Sequence, residues 1–256
     1  HVYSVHIDDN SLLHPGGSNI FFAGEHLQDM VIIDAGENDP MWFNKILNEY
    51  HSLGKPAITG ILITHSHSDH IGGLTSILGE IKAPVFCHPK LVSIIADMPG
   101  MDSVVGLRDN QLITISGNIV LETLFTPGHD DTHVCYYMES DEVMFTGDTV
   151  LGSSSSTVQD MHAYMQSMDR LSRYKVDIVC PGHGSVLTYP DGGEVIGKYI
   201  KHRTDRENAV KKALTNGINV VDEIVDDVYG KDLQERLKGA AKRNIISHLE
   251  KLVKEG

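Results

Sequence analysis

The chain has 256 residues, enough to bury a sizeable core as one large domain or one domain with an appendage. With 41% hydrophobic and 22% charged residues it reads as a folded globular protein, not a disordered or low-complexity one, and no apolar run approaches a membrane span. The net charge of −14 disfavours sequence-independent phosphate binding, but the charge is uneven: 9 basic against 25 acidic residues in 1–200 give −16, and 12 against 10 in 201–256 give +2.

The first segments alternate strand and turn. Val2 to Ile7, then Ser18-Asn-Ile-Phe-Phe-Ala-Gly24 after Pro15-Gly16-Gly17, then Met30 to Gly36 are short β-branched or aromatic runs closed by glycine, the pattern of a strand meander. Asp39-Pro40 predicts a helix start, because Asp caps well and Pro suits the first turn; Trp42, Phe43, Ile46, Leu47 and Tyr50 then recur at helical spacing. A strand over Ile58 to Thr64 follows, then a short helix near 71–81 and a strand in Ala83 to His88. Strand patterns continue at Gln111–Ile115, Asn118–Thr126, His133–Met138 and Glu142–Asp148. After the Ser-rich loop Ser153–Ser156, a helix is expected around Met161 to Tyr174, and Val176 to Gly184 gives a last strand and turn. Strands alternating with helices and interrupted by hairpins predict an α/β protein with mixed sheets. From Glu194 the pattern is helical throughout, with helices to about Asn216, across Val220 to Val228 and from about Leu233, where Leu237, Ala241, Ile245, Leu249 and Leu252 share a face. We therefore expect a main domain at 1–193 and a helical region at 194–256.

Three cysteines, Cys87, Cys135 and Cys180, are an odd number without paired spacing, which predicts small core residues and a reducing compartment. No signal-peptide pattern is visible. The expected location is the cytoplasm, with the mitochondrial matrix as the alternative if a presequence was removed.

The chemistry concentrates in Thr64-His-Ser-His-Ser-Asp-His70. It sets His65, His67, Asp69 and His70 directly after an apolar strand, where α/β folds place their ligand crevices. In an extended or turning segment His65 and His67 point to one side and Asp69 and His70 to the other, so the stretch suits two neighbouring metals. A single histidine here would read as a solvated loop residue. Three with a carboxylate match the ligand preference of zinc, and crowding them without a cation invites charge repulsion.

This His-x-His-x-Asp-His pattern, with Thr126-Pro-Gly-His129, Phe145-Thr-Gly-Asp148-Thr and Cys180-Pro-Gly-His183-Gly in order downstream, resembles the metallo-β-lactamase superfamily. The resemblance implies a four-layer αββα sandwich followed by a small winged-helix-like helical region. It also implies that His65, His67 and His129 hold one metal, Asp69, His70 and His183 the other, and that Asp148 bridges them. Two zinc ions are implied, manganese or iron(II) being alternatives. Gly128, Gly147, Gly182 and Gly184 flank these residues at sharp turns. Of the weaker histidines, His133, His162, His202 and His248 read as ordinary surface or supporting residues, while Asp130 and Asp131 are candidates to orient the His129 ring.

A two-metal centre predicts hydrolysis, with Asp69 and Asp148 as the residues that handle protons. Through Phe145–Gly152, Asp160–Leu171, Asp177–Gly184, Lys198–Glu207 and His248–Gly256 the resemblance extends over nearly the whole chain to the branch called β-lactamase-like protein two. It leaves three readings: a carbonyl hydrolase acting on a small thioester, ester or lactam; a single-strand endoribonuclease; and, from another class, an iron-dependent persulfide dioxygenase. Di-iron members carry Glu where His67 stands, which favours zinc hydrolysis here. For the RNA reading, Lys201, Arg203, Arg206, Lys211 and Lys212 offer a basic track, although Asp205 and Glu207 are interspersed, and Arg203 and Arg206 are equally candidates to clamp an anionic group of a small substrate. The expected partner is a small acyl substrate, with no membrane contact, on a monomer or homodimer.

Overall fold

The computed structural model describes residues 1–8, 14 and 16–256, with only the backbone of Arg236. Pro15, part of the expected turn ahead of the second strand, lies outside the described residues.

Eleven strands are found among the described residues, in two sheets. The first runs β1 (Val2–Ile7), β2 (Ser18–Gly24), β3 (Asp29–Ile33), β4 (Ala57–Leu62), β5 (Val85–Cys87) and β6 (Val104–Gly106) in spatial order. Its first three strands are antiparallel and the rest pair in parallel. The second sheet runs β11 (Ile178–Pro181), β10 (Val143–Gly147), β9 (Val134–Met138), β8 (Ile119–Phe125) and β7 (Leu112–Ile115), with only β10 and β11 parallel. Both sheets are mixed, as the interrupted strand–helix alternation predicted.

Side-chain alternation builds four layers. In β2, Ile20 and Phe22 point to one apolar cluster and Phe21 and Ala23 to another; β3 repeats this with Met30 and Ile32 against Val31 and Ile33. The inner set meets Val134, Tyr136, Met138, Val143 and Phe145 of the second sheet, so this cluster is the seam between sheets. The outer set is covered by α1 (Pro40–Ser52), α3 (Leu74–Glu80) and α4 (Val92–Ala96). On the far side, Cys135, Tyr137, Met144 and Val179 pack under α5 (Met161–Leu171) and the start of α6 (Asp191–Thr215). The three cysteines are free, buried members of these layers, and burial pushes each thiol up to about 12.

Local signals place the helices. The Asp39 carboxylate accepts from the backbone of Met41 and Trp42 with Pro40 in the first turn, and the Asp160 carboxylate accepts from Ala163 at the start of α5. The C-terminal region is α6, α7 (Val221–Tyr229) and α8 (Glu235–Glu255). Helix α6 serves two cores: Val195 and Ile196 join the main-domain cluster, whereas Val210 and Ala213 pack with Ile224, Val225, Ala241 and Ile245. It begins three residues earlier than its periodicity suggested, Asp191 and Glu194 favouring its first turn. No described helix is long and apolar enough to cross a membrane.

One side chain fastens the seam where β4 ends. The hydroxyl of Tyr136, a fully buried residue, donates to the Ile63 carbonyl at 2.6 Å. We expect Tyr136→Phe to leave that carbonyl unsatisfied and to cost about 1–2 kcal/mol. The measurement is the urea midpoint of metal-free protein, and an unchanged midpoint would show that the bond contributes nothing net.

Candidate metal centre

The strand ends bring the seven predicted residues together at one rim of the sandwich. His65 follows β4, and Asp69 and His70 lie on the single turn α2 (Ser68–Ile71). His129 comes from the turn between β8 and β9, Asp148 from the end of β10 and His183 from the end of β11. The two sheets are stitched along this rim: the Val134 amide donates to the Thr64 carbonyl, the Asn19 amide to the Gly182 carbonyl, and Asn19 Nδ2 to the carbonyls of Pro181 and Gly184. Strand β4 ends two residues sooner than the apolar run suggested, because Ile63 and Thr64 turn into these cross-sheet bonds.

Two groups form. His65, His67, His129 and Asp148 each offer a ligand atom within 4.8 Å of the others, and Asp69, His70 and His183 do the same beside them. In the first, His67 Nδ1 lies 2.9 Å from His65 Nε2 and 3.2 Å from His129 Nε2. Ligands about 2.05 Å from a tetrahedral ion would stand roughly 3.3 Å apart, so the spacing is close to that of a coordinated set. Asp148 lies between the groups, its carboxylate 3.7 Å from His129 Nε2, 3.5 Å from His70 Nε2 and 3.3 Å from His183 Nε2. Asp69 stands 3.0 Å from His183 Nε2.

The protons of three of the rings are fixed from behind. A carbonyl only accepts, so His129 Nδ1 donates to the Thr157 carbonyl at 2.8 Å and its Nε2 faces inward with a lone pair. His70 Nδ1 donates to the buried Asp34 carboxylate at 2.7 Å. Thr64 Oγ1 also donates to Asp34, which leaves its lone pairs to accept from His65 Nδ1 at 3.0 Å. Asp34 thus orients two rings at once, and it does so from a left-handed backbone, φ 63°. His183 Nδ1 is 3.0 Å from Ser18 Oγ.

The charge pattern fits a cation. His70 Nε2 and Asp148 Oδ1 are buried and 3.5 Å apart, with no hydrogen bond to either, an arrangement that a cation between them would relieve. Burial dominates His65 and His129 and pulls both below the usual imidazole range. For His183, burial opposes charge, but its bonds to Asp148 and Asp69 outweigh it and raise it to about 9. His70 rises in the same way, with Asp34 and Asp148 outweighing burial. Asp69, penalised by burial but held by His183 and His70, falls to about 2. In the metal-free chain, protons on these imidazoles offset the carboxylates that a cation would satisfy. Glycine leaves room for this: a Cβ at Gly147 (φ 45°) would lie 2.7 Å from His133 Nε2, and one at Gly182 would collide with Asp148 Oδ1.

Other sequence expectations change. Asp130 does not reach the His129 ring; its carboxylate accepts from Ser66 Oγ and from the Thr132 amide and hydroxyl, while Asp131 pairs with Lys90. His133 is fully buried behind the centre, not on the surface. Burial drops it to about 3, and its Nε2 accepts the Asp148 amide, placing that carboxylate. His162 is a half-exposed partner of Glu255, His202 is exposed and His248 is fully buried near Glu207. Sequence reading passed over Asp34, Thr64, Ser18 and His14. His14 stacks on His183 at 5.1 Å, with its Nε2 3.4 Å from Asp69.

The basic track is largely spent. Lys201 pairs with Asp205 and Lys211 with Glu207, while Arg206 lies over the Tyr229 ring and donates to the Val228 carbonyl. Arg203 is no substrate clamp: it is 2% exposed and donates to the Ser156 carbonyl at 2.5 Å, on the loop that holds His129. The helical region also covers the centre, since a cavity of about 400 Å³ runs between His67, residues 157–159 and α8.

Asp34→Asn keeps the shape but removes the charged acceptor behind His65 and His70. We expect zinc affinity to fall about 10–100-fold, read by competition with a chromophoric chelator. Unchanged affinity would mean that Asp34 does not orient these rings.

Comparison with known proteins agrees with this arrangement. Residues 14–183 match the model of the metallo-beta-lactamase superfamily, and residues 221–256 match that of the beta-lactamase associated winged helix domain. The chain is 32% identical over 249 residues to the Beta-lactamase-like protein 2 homolog of Drosophila melanogaster, covering 94% of this chain and 83% of the relative. It is 27% identical to Lactamase-like protein nscB of Arthroderma gypseum, covering 95% of this chain and 78% of that one. Among solved structures, a Beta-lactamase domain protein from Burkholderia ambifaria aligns over 100% of this chain and 86% of its own, with a TM-score of 0.82 at 18% identity, which extends the likeness in fold through the C-terminal helices. The chain is a member of the metallo-β-lactamase superfamily and an enzyme of its metal-dependent hydrolase class.

Proposed function

We propose that this protein is a binuclear zinc hydrolase that cleaves a small carbonyl substrate, a thioester, ester or lactam. The observation that carries the reading is the pair of buried atoms His70 Nε2 and Asp148 Oδ1, which face each other at 3.5 Å with no hydrogen bond to close the gap, within a ring of inward-facing imidazole nitrogens. His65, His67 and His129 would hold one ion, Asp69, His70 and His183 the other, with Asp148 between them. Five imidazoles and two carboxylates suit zinc better than an oxygen-activating iron pair.

When bound, a pair of zinc ions supplies a water of lowered pKa and polarises the substrate oxygen. The chain's own residues do the rest. Asp148, buried and kept ionised by His70 and His183 against its burial, holds negative charge between the two groups. Asp69 is half-buried, and its carboxylate is the group we assign to take a proton as attack on the carbonyl proceeds. His133 keeps Asp148 in place through its amide, and Thr157 keeps His129 turned inward. The small-substrate reading is further supported by the ion pairs that occupy Lys201 and Lys211 and by the burial of Arg203, which leave little of a strand-binding surface on α6.

The test sets zinc-loaded protein against a thioester and a short unstructured RNA, beside Asp69→Ala. Thioester turnover falling at least ~100-fold in the variant, with RNA intact, is the expected result. Metal-dependent RNA cutting that disappears in Asp69→Ala would replace this reading with the endoribonuclease one. Separately, Asp148→Ala should hold fewer than two zinc ions per chain by elemental analysis and lose most turnover; full activity in it would remove Asp148 from the centre.

A further inference from the structure

The cavity beside His67 has two unlike walls. One is the loop 157–159 that holds His129; the other is a single face of α8 carrying Ala240, Arg243, Asn244, Ser247 and Glu250. Positions 240, 243, 244, 247 and 250 follow the three-and-four spacing of one helix face, so this wall is continuous. Arg243 is exposed and makes no hydrogen bond or ion pair among the described residues, unlike Lys238, Lys242, Lys251 and Lys254 of the same helix, which all pair with acids. Ser247 is 3% exposed, and its Oγ has no hydrogen-bond partner. Half-buried Asn244 adds an amide with unspent donors. Glu250, the one acidic residue among those lining the cavity, sits seven residues beyond Arg243, about 10 Å along the helix, so the cation and the carboxylate mark opposite ends.

We propose that this cavity receives the tail of the acyl substrate and that Arg243, helped by Asn244 and Ser247, recognises an anionic group on it, a carboxylate or phosphate. The inference rests on the carbonyl-hydrolase reading above and deepens it by naming the substrate's charge. An unpaired guanidinium presents a planar fork matched to such a group. A volume of about 400 Å³ suits a small molecule and not a polymer strand. The lining also has no tyrosine, tryptophan or phenylalanine on which successive bases would stack, and Arg243 is its one permanent cation. Arg243 therefore sets specificity from outside the reacting atoms.

The experiment compares S-acetyl-6-mercaptohexanoate with its methyl ester, on zinc-loaded wild type and Arg243→Gln. We expect the variant to lose about tenfold or more in kcat/KM on the carboxylate, carried by KM, and to stay within about twofold on the neutral ester. Equal losses on both, or no loss on either, overturn the proposal. Adipate binding by titration calorimetry to the same two proteins separates this claim from the reaction itself. If neither thioester turns over, the hydrolase reading fails, while adipate bound about tenfold more weakly by Arg243→Gln still supports an anion subsite; equal adipate binding overturns it. Loss of RNA cutting in Arg243→Gln, with both thioesters indifferent to the change, would assign the wall to a phosphodiester strand and overturn the small-molecule assignment. Thermal melting of both proteins checks that the exposed substitution leaves the fold unaltered.

Discussion

Five imidazoles and two carboxylates share one small, largely buried volume, and the cost of desolvating them is the constraint on which the rest of the structure depends. A ring that is to hold a cation hands its proton to something behind it and keeps its lone pair forward, as His65, His70 and His129 are placed to do. That requirement explains why the rim is built from strand ends. Strand ends offer backbone not yet committed to a ladder and side chains that reach across to the other sheet, as Asn19 does to the Pro181 and Gly184 carbonyls. Asp34 shows the economy of the solution, since one carboxylate takes the Thr64 hydroxyl and the His70 ring, and through Thr64 fixes His65 as well. Its left-handed backbone is the local strain accepted for that placement.

The sandwich and the site were legible to different degrees for different physical reasons. Short β-branched or aromatic runs closed by glycine gave away strands such as β2 and β3, and the Asp39-Pro40 cap located α1, because those signals are local. The seven inward residues were legible through resemblance, and four of them stand within six positions. The groups behind them were not. Asp34 lies 36 residues from His70, and His133 lies 15 from Asp148, so neither partnership leaves a trace at short range. Asp34 could have been suspected from its position, an acid directly after an apolar strand and close to a glycine. Asp130 misled for the converse reason: adjacency to His129 in sequence implied contact, whereas the turn directs its carboxylate back to Thr132 and Ser66.

Charge counting misled in a similar way. The excess of basic residues after position 200 invited a reading as a track, but composition does not record which cations are already paired. On α6, i,i+4 spacing brings Lys201 to Asp205 and Lys211 to Glu207, so two of the five cations of the track are locally neutralised. Arg203 was the most deceptive, because a cation on a long polar helix is normally a surface residue. Here it is buried against Tyr164 and the Ser156 carbonyl.

That burial tells how the two parts of the chain work together. Helix α6 reaches with Arg203 to Ser156, whose Oγ stands 3.2 Å from His129 Nδ1, and the next carbonyl holds the same ring. Tyr164, over which the guanidinium lies, donates its hydroxyl to the Thr149 carbonyl, one residue past Asp148. The C-terminal helices therefore brace two of the inward residues from outside the sandwich, while α8 closes the cavity beside a third, His67. A loop of glycine and serine such as 152–156 has little apolar surface of its own to hold it in place. Anchored by a buried cation from another layer, it becomes a fixed wall, which is what a site must have if it is to discriminate among substrates and not merely hydrolyse them.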